Sequence, residues 1–576
     1  RLDTGNAVRR HAFFRWLPTL LLGALLLYLV ALPLFFLGIS SLRPSGMPLE
    51  PGFTLAHYAA VYGSPGFWLL LRDSAAFAAG SAGFALVCGT LLAWAVERTD
   101  MPGSGIVRAL VILPMATPPL LMAIGWAMLL SPRAGAVNLA LMDVFGLSAA
   151  PFNVYSLGGM VFVQGLSLTS TAFLFLSPAF RNMDPSLEEA AMASGAGTAF
   201  MFRRVLVPLL LPAILAAGLF LLIVGFVVFE IPGTLGLPAR IFVLSSQIYF
   251  LAADPPGGFP LYGQISALAS AFITMLFVLG LLYRRVTSAA SRYRTVTGKG
   301  FRPRRRALGR WRHLVLAGVG AYFVLAVLLP VGMLVWTSLM PFQARPSWAN
   351  LSLVTLENHL DFLDSPRVFE AVANTALVAV LAATIVAALS TLTAWTTVRL
   401  RAPGSGLLDT LAFLPIAIPG VMMGVALIYV YLTLDPIIAI YGTVWILVVA
   451  YATEYMSFGN RAAGGVMVQI HPELEEAGRA SGAAALAVLR RITLPLMWPA
   501  IAAIWIWVLA HVMRELAIAL MLQGRDNRVI TTLLWDYWQG GEATRAAAVG
   551  VWLVLSLLVV LVAWQLLAAR RGRADA

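Results

Sequence analysis

The chain has 576 residues, of which 60% are hydrophobic and only 11% charged, with a mean hydropathy of +0.86. No folding arrangement hides that much apolar surface from water, so a water-soluble globule is excluded and the solvent is a bilayer. The net charge of +13 would suit nucleic acid in a soluble protein, but in a membrane protein the placement of the basic residues carries more information than their sum.

A helix needs about 20 mainly apolar residues to cross the hydrocarbon, and twelve such stretches occur in order. Arg1, Arg9, Arg10 and Arg15 precede the first, at 17–40. This run is too long for a signal peptide and no small-residue cleavage site follows it, so a retained span is expected. Further spans are predicted at 67–96, 106–130, 156–180, 206–229 and 263–285. A second set is predicted at 313–338, 371–398, 408–432, 443–463, 495–520 and 548–569. The fold class is thus all-α, with about twelve transmembrane helices. Most of the 39 Lys and Arg fall in alternate loops, including the run from Arg284 to Arg312. The positive-inside rule then puts both termini and these loops in the cytoplasm. The basic run reads as a linker lying on anionic lipid, not as a nucleic-acid patch. The lone Cys88 sits in an apolar run, excludes an internal disulfide, and reads as a packed core residue.

The most informative stretch occurs twice. DPSLEEAAMASGAGTAFMFRRVLVPLLLPAIL from Asp184 aligns without gaps, at an offset of 287, with HPELEEAGRASGAAALAVLRRITLPLMWPAIA from His471. Further matches at an offset of 301 pair Pro102-Gly103-Ser104-Gly105 with Pro403-Gly404-Ser405-Gly406, and Leu113-Pro114 with Leu414-Pro415. The difference between the offsets implies a longer outer loop near 131–155 in the first copy. The chain therefore divides into a first repeat (1–285, insert 184–214), a basic linker (286–312) and a second repeat (313–576, insert 471–501). Six spans return the chain to its starting side, so the repeats are parallel, about an axis along the membrane normal.

Each insert is polar in an apolar chain. Proline after a possible cap starts a helix, with Glu188, Glu189, Glu475 and Glu476 near its positive end. Asp184 is a good cap and His471 a poorer one. Gly195 and Gly482 permit a sharp turn, after which a second helix carries Arg203-Arg204 or Arg490-Arg491 into the next span, with Pro208 and Pro495 able to bend it.

E-E-A-x-x-A-S-G followed by R-R-x-x-L/V-P resembles the EAA loop of binding-protein-dependent ABC importer permeases. The resemblance implies that Glu188, Glu189, Ala190 and Gly195, and Glu475, Glu476, Ala477 and Gly482, form two coupling helices seated on a cytoplasmic ATPase. It also implies the partners: two copies of that ATPase subunit, which carry the ATP and Mg, and a periplasmic or lipid-anchored solute-binding protein. The expected location is the bacterial inner membrane. Gly478 and Arg479 replace Ala191 and Met192 of the first copy, which makes the second helix more polar. No G-x-x-x-x-G-K-[ST] loop is present, so hydrolysis is expected on another polypeptide and no cofactor on this chain.

Charged residues within spans call for a functional reading. Glu230, Glu454, Arg514 and Glu515 are candidates for the substrate path, with Glu230 and Glu515 expected near the outer mouth. His511 reads as a packed polar residue, and the six histidines suggest no metal cluster. The fused two-repeat form resembles ferric iron permeases, with FEIPGTLGLP and RELAIALML as further points of likeness; thiamine, aminoethylphosphonate and polyamine permeases are related. An ion-coupled secondary carrier with parallel repeats is the competing class, and it would need neither the paired inserts nor an ATPase.

Overall fold

The structure, a computed structural model, describes residues 17–181, 191, 193–195, 197, 200, 203–204, 207–253, 255, 258–290 and 307–574. Described residues are helical or loop, with no extended strand. That is what a bilayer imposes, since a helix satisfies its own backbone polar groups without water. Among the described residues nine helices are long and apolar enough to cross a membrane, or up to twelve if each of three bent pairs counts as one span.

In the first half these are α1 (Leu17–Ser40), α2 (Pro65–Arg98), the pair α3 (Ser104–Ala116) and α4 (Pro119–Leu130), α5 (Leu157–Arg181), α6 (Val207–Val227), the pair α7 (Pro232–Ala239) and α8 (Leu244–Ala253), and α9 (Tyr262–Ala290). The second half repeats the order. It contains α10 (Gly309–Ser338), α11 (Pro366–Arg399), the pair α12 (Ser405–Ile416) and α13 (Gly420–Thr433), α14 (Val444–Gln469), α15 (Pro472–Ala480), α16 (Ala485–Val512), α17 (Ala517–Leu522), α18 (Ile530–Gln539) and α19 (Ala543–Ala574). The 26-residue α14 is long enough to span but carries Glu454 and Arg461, and it is absent from the apolar set.

Two expectations need correction. The third and ninth spans are not straight: they bend by 93° and 113° at Pro118-Pro119 and Pro419-Gly420. Proline removes a helical donor and clashes with the preceding turn, and one stands at each break, followed by a second proline in the third span and by glycine in the ninth. The eleventh span does not run to 520 but ends at Val512, and α17 starts after a break. The loop at 131–155 is longer in the first half, and it holds a short helix, Ala136–Phe145.

The halves interlock. The first helix of each packs on the broken span of the other, α1 on α13 and α10 on α4. Gly125 of α4 lies so close to Pro330 of α10 that a Cβ there would come within 2.7 Å of the Pro330 carbonyl oxygen. Tyr28 and Tyr431 join hydroxyls at 2.8 Å, and Tyr322 meets Ser170 at 2.9 Å. One continuous apolar core runs through both halves.

Candidate functional site

The second insert folds as its sequence suggests. α15 starts with Pro472 at its first turn, and His471 before it makes no side-chain cap bond. Glycine ends the helix: Gly482 has φ +85°, the Ala483 N–H donates to the Gly478 carbonyl at 3.1 Å, and the Gly482 N–H donates to Arg479 at 2.9 Å. Such a left-handed terminus satisfies carbonyls that the helix leaves free. In the first insert Gly195 has φ +81°, whereas Glu188, Glu189 and Ala190 lie outside the described residues. The helix then runs from Ala485 to Val512 with a π-turn at Leu489–Thr493, one residue before Pro495. A π-turn is a common way to absorb a helix irregularity.

The two glutamates of this insert part company. Glu475 is buried, pairs with Arg399 Nε at 3.3 Å, and accepts a hydrogen bond from the Thr493 hydroxyl at 2.8 Å. Arg399 also donates to the carbonyls of Met467, at 2.7 Å, and Ile470. One carboxylate therefore joins the end of α11, the start of α15 and the foot of α16. Glu476 and Ala477 are exposed on the helix surface. Composition had marked Arg399 only as a basic flank. The signal that finds it is the repeat, because Arg98 stands at the matching position, 4% exposed, at the end of α2.

The second cluster lies at the breaks that follow α6 and α16. Glu515 accepts hydrogen bonds from the Tyr451 hydroxyl at 2.9 Å and from the N–H groups of Ile518 at 2.8 Å and Ala519 at 3.3 Å. It thus caps α17 while facing α14. Tyr451 is seven residues from the start of α14, a depth of about 10 Å at ~1.5 Å rise per residue. Glu515 also stands at the bend between α12 and α13, where a Cβ on Gly420 would meet its Oε1 at 3.3 Å. Glu230 follows the end of α6, with its carboxylate accepting from the Phe229 N–H at 3.3 Å. Glu454 of α14 has a buried Oε2 with no hydrogen-bond partner among the described residues. Glu230, Glu454 and Glu515 sense one another electrostatically, and Glu230 also senses Arg514. All four sequence candidates are thus brought together at the interface of the halves.

Aromatic rings close the cluster. Phe229 and Tyr249 of the first half meet Trp535 of the second, with centroids 5.8 and 6.2 Å apart. His511 stacks on Trp507 at 3.7 Å and faces Tyr455 at 6.0 Å. Among the described residues no three His, Cys, Asp or Glu side chains are grouped to hold a metal ion.

Residues 379–573 match the family described as the binding-protein-dependent transport system inner membrane component. The chain is 25% identical over 456 residues to the ferric transport system permease protein FbpB of Actinobacillus pleuropneumoniae, across 78% of this chain and 64% of that protein. It is 26% identical to a putative ferric transport system permease protein FbpB 1 of Haemophilus influenzae, over 73% of this chain and again 64% of the relative. A probable ABC transporter permease protein, y4fN of Sinorhizobium fredii, is 26% identical across 82% of this chain and 83% of its own length. Among solved structures, a bacterial ABC transporter involved in the import of alginate aligns with 46% of this chain and 97% of its own, at 18% identity and a TM-score of 0.37. The second half of the chain is thus similar to the inner membrane components of binding-protein-dependent transport systems over residues 379–573, and the first half repeats the second in sequence.

Proposed function

We propose that this chain is the two-repeat permease of an ATP-driven importer, with the insert side in the cytoplasm and a cationic substrate, ferric iron first, moving between the halves. The observation that carries the reading is α15: a short polar helix outside the spans, fixed by Glu475 to the ends of α11 and α16, with Glu476 and Ala477 facing outward. A docking helix needs that division, one residue anchored inward and its neighbour free to meet a partner. The proposed partners are two copies of a cytoplasmic ATPase, one at each insert, and a solute-binding protein on the opposite face. Binding ATP moves α15, and α16 follows because the two are joined through Glu475 and Thr493.

Support for a cation comes from three carboxylates against one guanidinium in the cluster, together with the names of the ferric relatives. The deciding experiment is co-purification followed by uptake. Tagged chain should bring down a nucleotide-binding subunit in two copies, and reconstituted vesicles should accumulate radiolabelled ferric ion only with ATP and the binding protein. Uptake driven by a proton or sodium gradient without ATP would establish the secondary carrier instead, and uptake of thiamine, a phosphonate or a polyamine in place of iron would reassign the substrate alone.

A further inference from the structure

Met115 lies near the end of α3, and the residues three and four further along are Pro118 and Pro119. Neither has an N–H, so neither a 3₁₀ nor an α-type hydrogen bond from the following chain can reach the Met115 carbonyl. The donor comes from the other half: Arg514 Nη1 lies 2.6 Å from that oxygen. The same guanidinium donates through Nη2 to His511 Nε2 at 2.8 Å. His511 can accept there because its Nδ1–H donates to the Trp507 carbonyl at 2.8 Å. Trp507 in turn stacks on Phe458 of α14 at 3.5 Å. The arginine is therefore aimed by a column of packed rings.

Among the described residues nothing equivalent occurs on the other side. At the offset of 287 Val227 occupies the place of Arg514 in the first repeat, and at the offset of 301 Ile416 occupies that of Met115, so the first repeat offers no guanidinium there. Four residues beyond Ile416 is Gly420, which keeps its N–H. The interface thus has one such tie, running from the end of α16 to the bend of the opposite half's third span.

We propose that the Arg514 to Met115 contact is a one-sided latch that holds the two halves together at the bend. Withdrawal of α16 breaks it, and the freed guanidinium turns to Glu230, which already acts on it electrostatically. Opening of the interface is then asymmetric, led by the second half.

The test needs neither ATPase nor substrate, so its failure is separable from failure of the transport reading. The full chain, with Cys88→Ser and Thr234→Cys, is placed in lipid nanodiscs and treated with a water-soluble maleimide. Thr234 is 1% exposed and donates to the Glu230 carbonyl at 2.6 Å, in a segment packed on α4. Adding Arg514→Met should raise the labelling rate of this cysteine about tenfold, and Arg514→Lys should fall between, since an ammonium cannot span both acceptors. In a Pro119→Ala background, which returns a backbone N–H four residues after Met115, the same change should add less than about twofold. Equal labelling in the presence and absence of Arg514 overturns the latch, as does an undiminished effect with Pro119→Ala. Arg514→Gln, which keeps polarity but not reach, gives the same reading should Arg514→Met not accumulate.

Discussion

At the scale of single residues, the assignment of Glu475 inward and Glu476 outward separates two kinds of failure. Replacing Glu475 by Gln leaves Arg399 buried without its counter-ion, and breaking a buried pair costs about 3–5 kcal/mol. The expected outcome is a complex that still binds ATPase but hydrolyses ATP with little substrate moved; Arg399→Met with Glu475→Met should recover more coupling than either alone. Glu476→Ala should instead weaken ATPase capture while thermal stability stays within about 0.5 kcal/mol of the parent, as is usual for surface changes. On the opposite face, His359 lies beside Ser338 at 3.1 Å and Trp552, and burial holds its pKa below the ordinary 6.5. A depressed folded-state pKa means that the unfolded chain binds more protons, so the stability from neutral His359 is present above 6.5 and is lost as pH falls through the folded value. Melting curves between pH 7.5 and 5 should show a loss that His359→Gln removes. Equal slopes in the two proteins would refute this role.

At the scale of elements, glycine decides two geometries in different ways. Gly482 needs its left-handed φ of +85° but has nothing within 4 Å of where a Cβ would lie. Asn, which tolerates that conformation, should cost little, and Ala about 1 kcal/mol of local strain. Leu pays a similar backbone cost but projects into the space proposed for the ATPase. Import should therefore survive Gly482→Asn and be lost with Gly482→Leu, whereas equal losses would make the turn purely structural. Gly125 is the reverse case, with ordinary backbone and no room. Gly125→Ala forces α4 from α10, and overpacking of this kind costs about 1–3 kcal/mol, measurable as a lower melting temperature in detergent. The broken spans follow the same logic. Their prolines end one helix and start another, and the bend leaves the Met115 carbonyl for Arg514 to find.

At the scale of the whole molecule, the two halves exchange their first helices, so neither is expected to hold together alone. Expression of residues 1–300 and 301–576 as separate chains should yield a stable complex only when both are present, detectable by mutual protection from proteolysis. Orientation is tested with single cysteines in a Cys88→Ser background. Trp348, 91% exposed on the face opposite α15, should label from outside as Trp348→Cys, and Glu476→Cys only after the cytoplasmic face is opened. The reverse pattern would invert the topology and remove the basis for a cytoplasmic ATPase.

Hydropathy was enough to determine the all-helical membrane class of this protein, and the ungapped internal repeat was enough to single out its two inserts, because bilayer solvation and helix termination are local effects written in runs of neighbouring residues. Glu230, Glu454, Arg514 and Glu515 could be picked out on the same ground, since a charge in an apolar run is visible without a fold. What they do to one another was not visible. Arg514 and Met115 are 399 positions apart, and Arg399 meets Glu475 only where α11 ends beside α15. The break after Val512 and the inward turn of Glu475 were decided by tertiary packing, because each depends on which distant group is at hand to satisfy a polar atom that the local chain leaves bare.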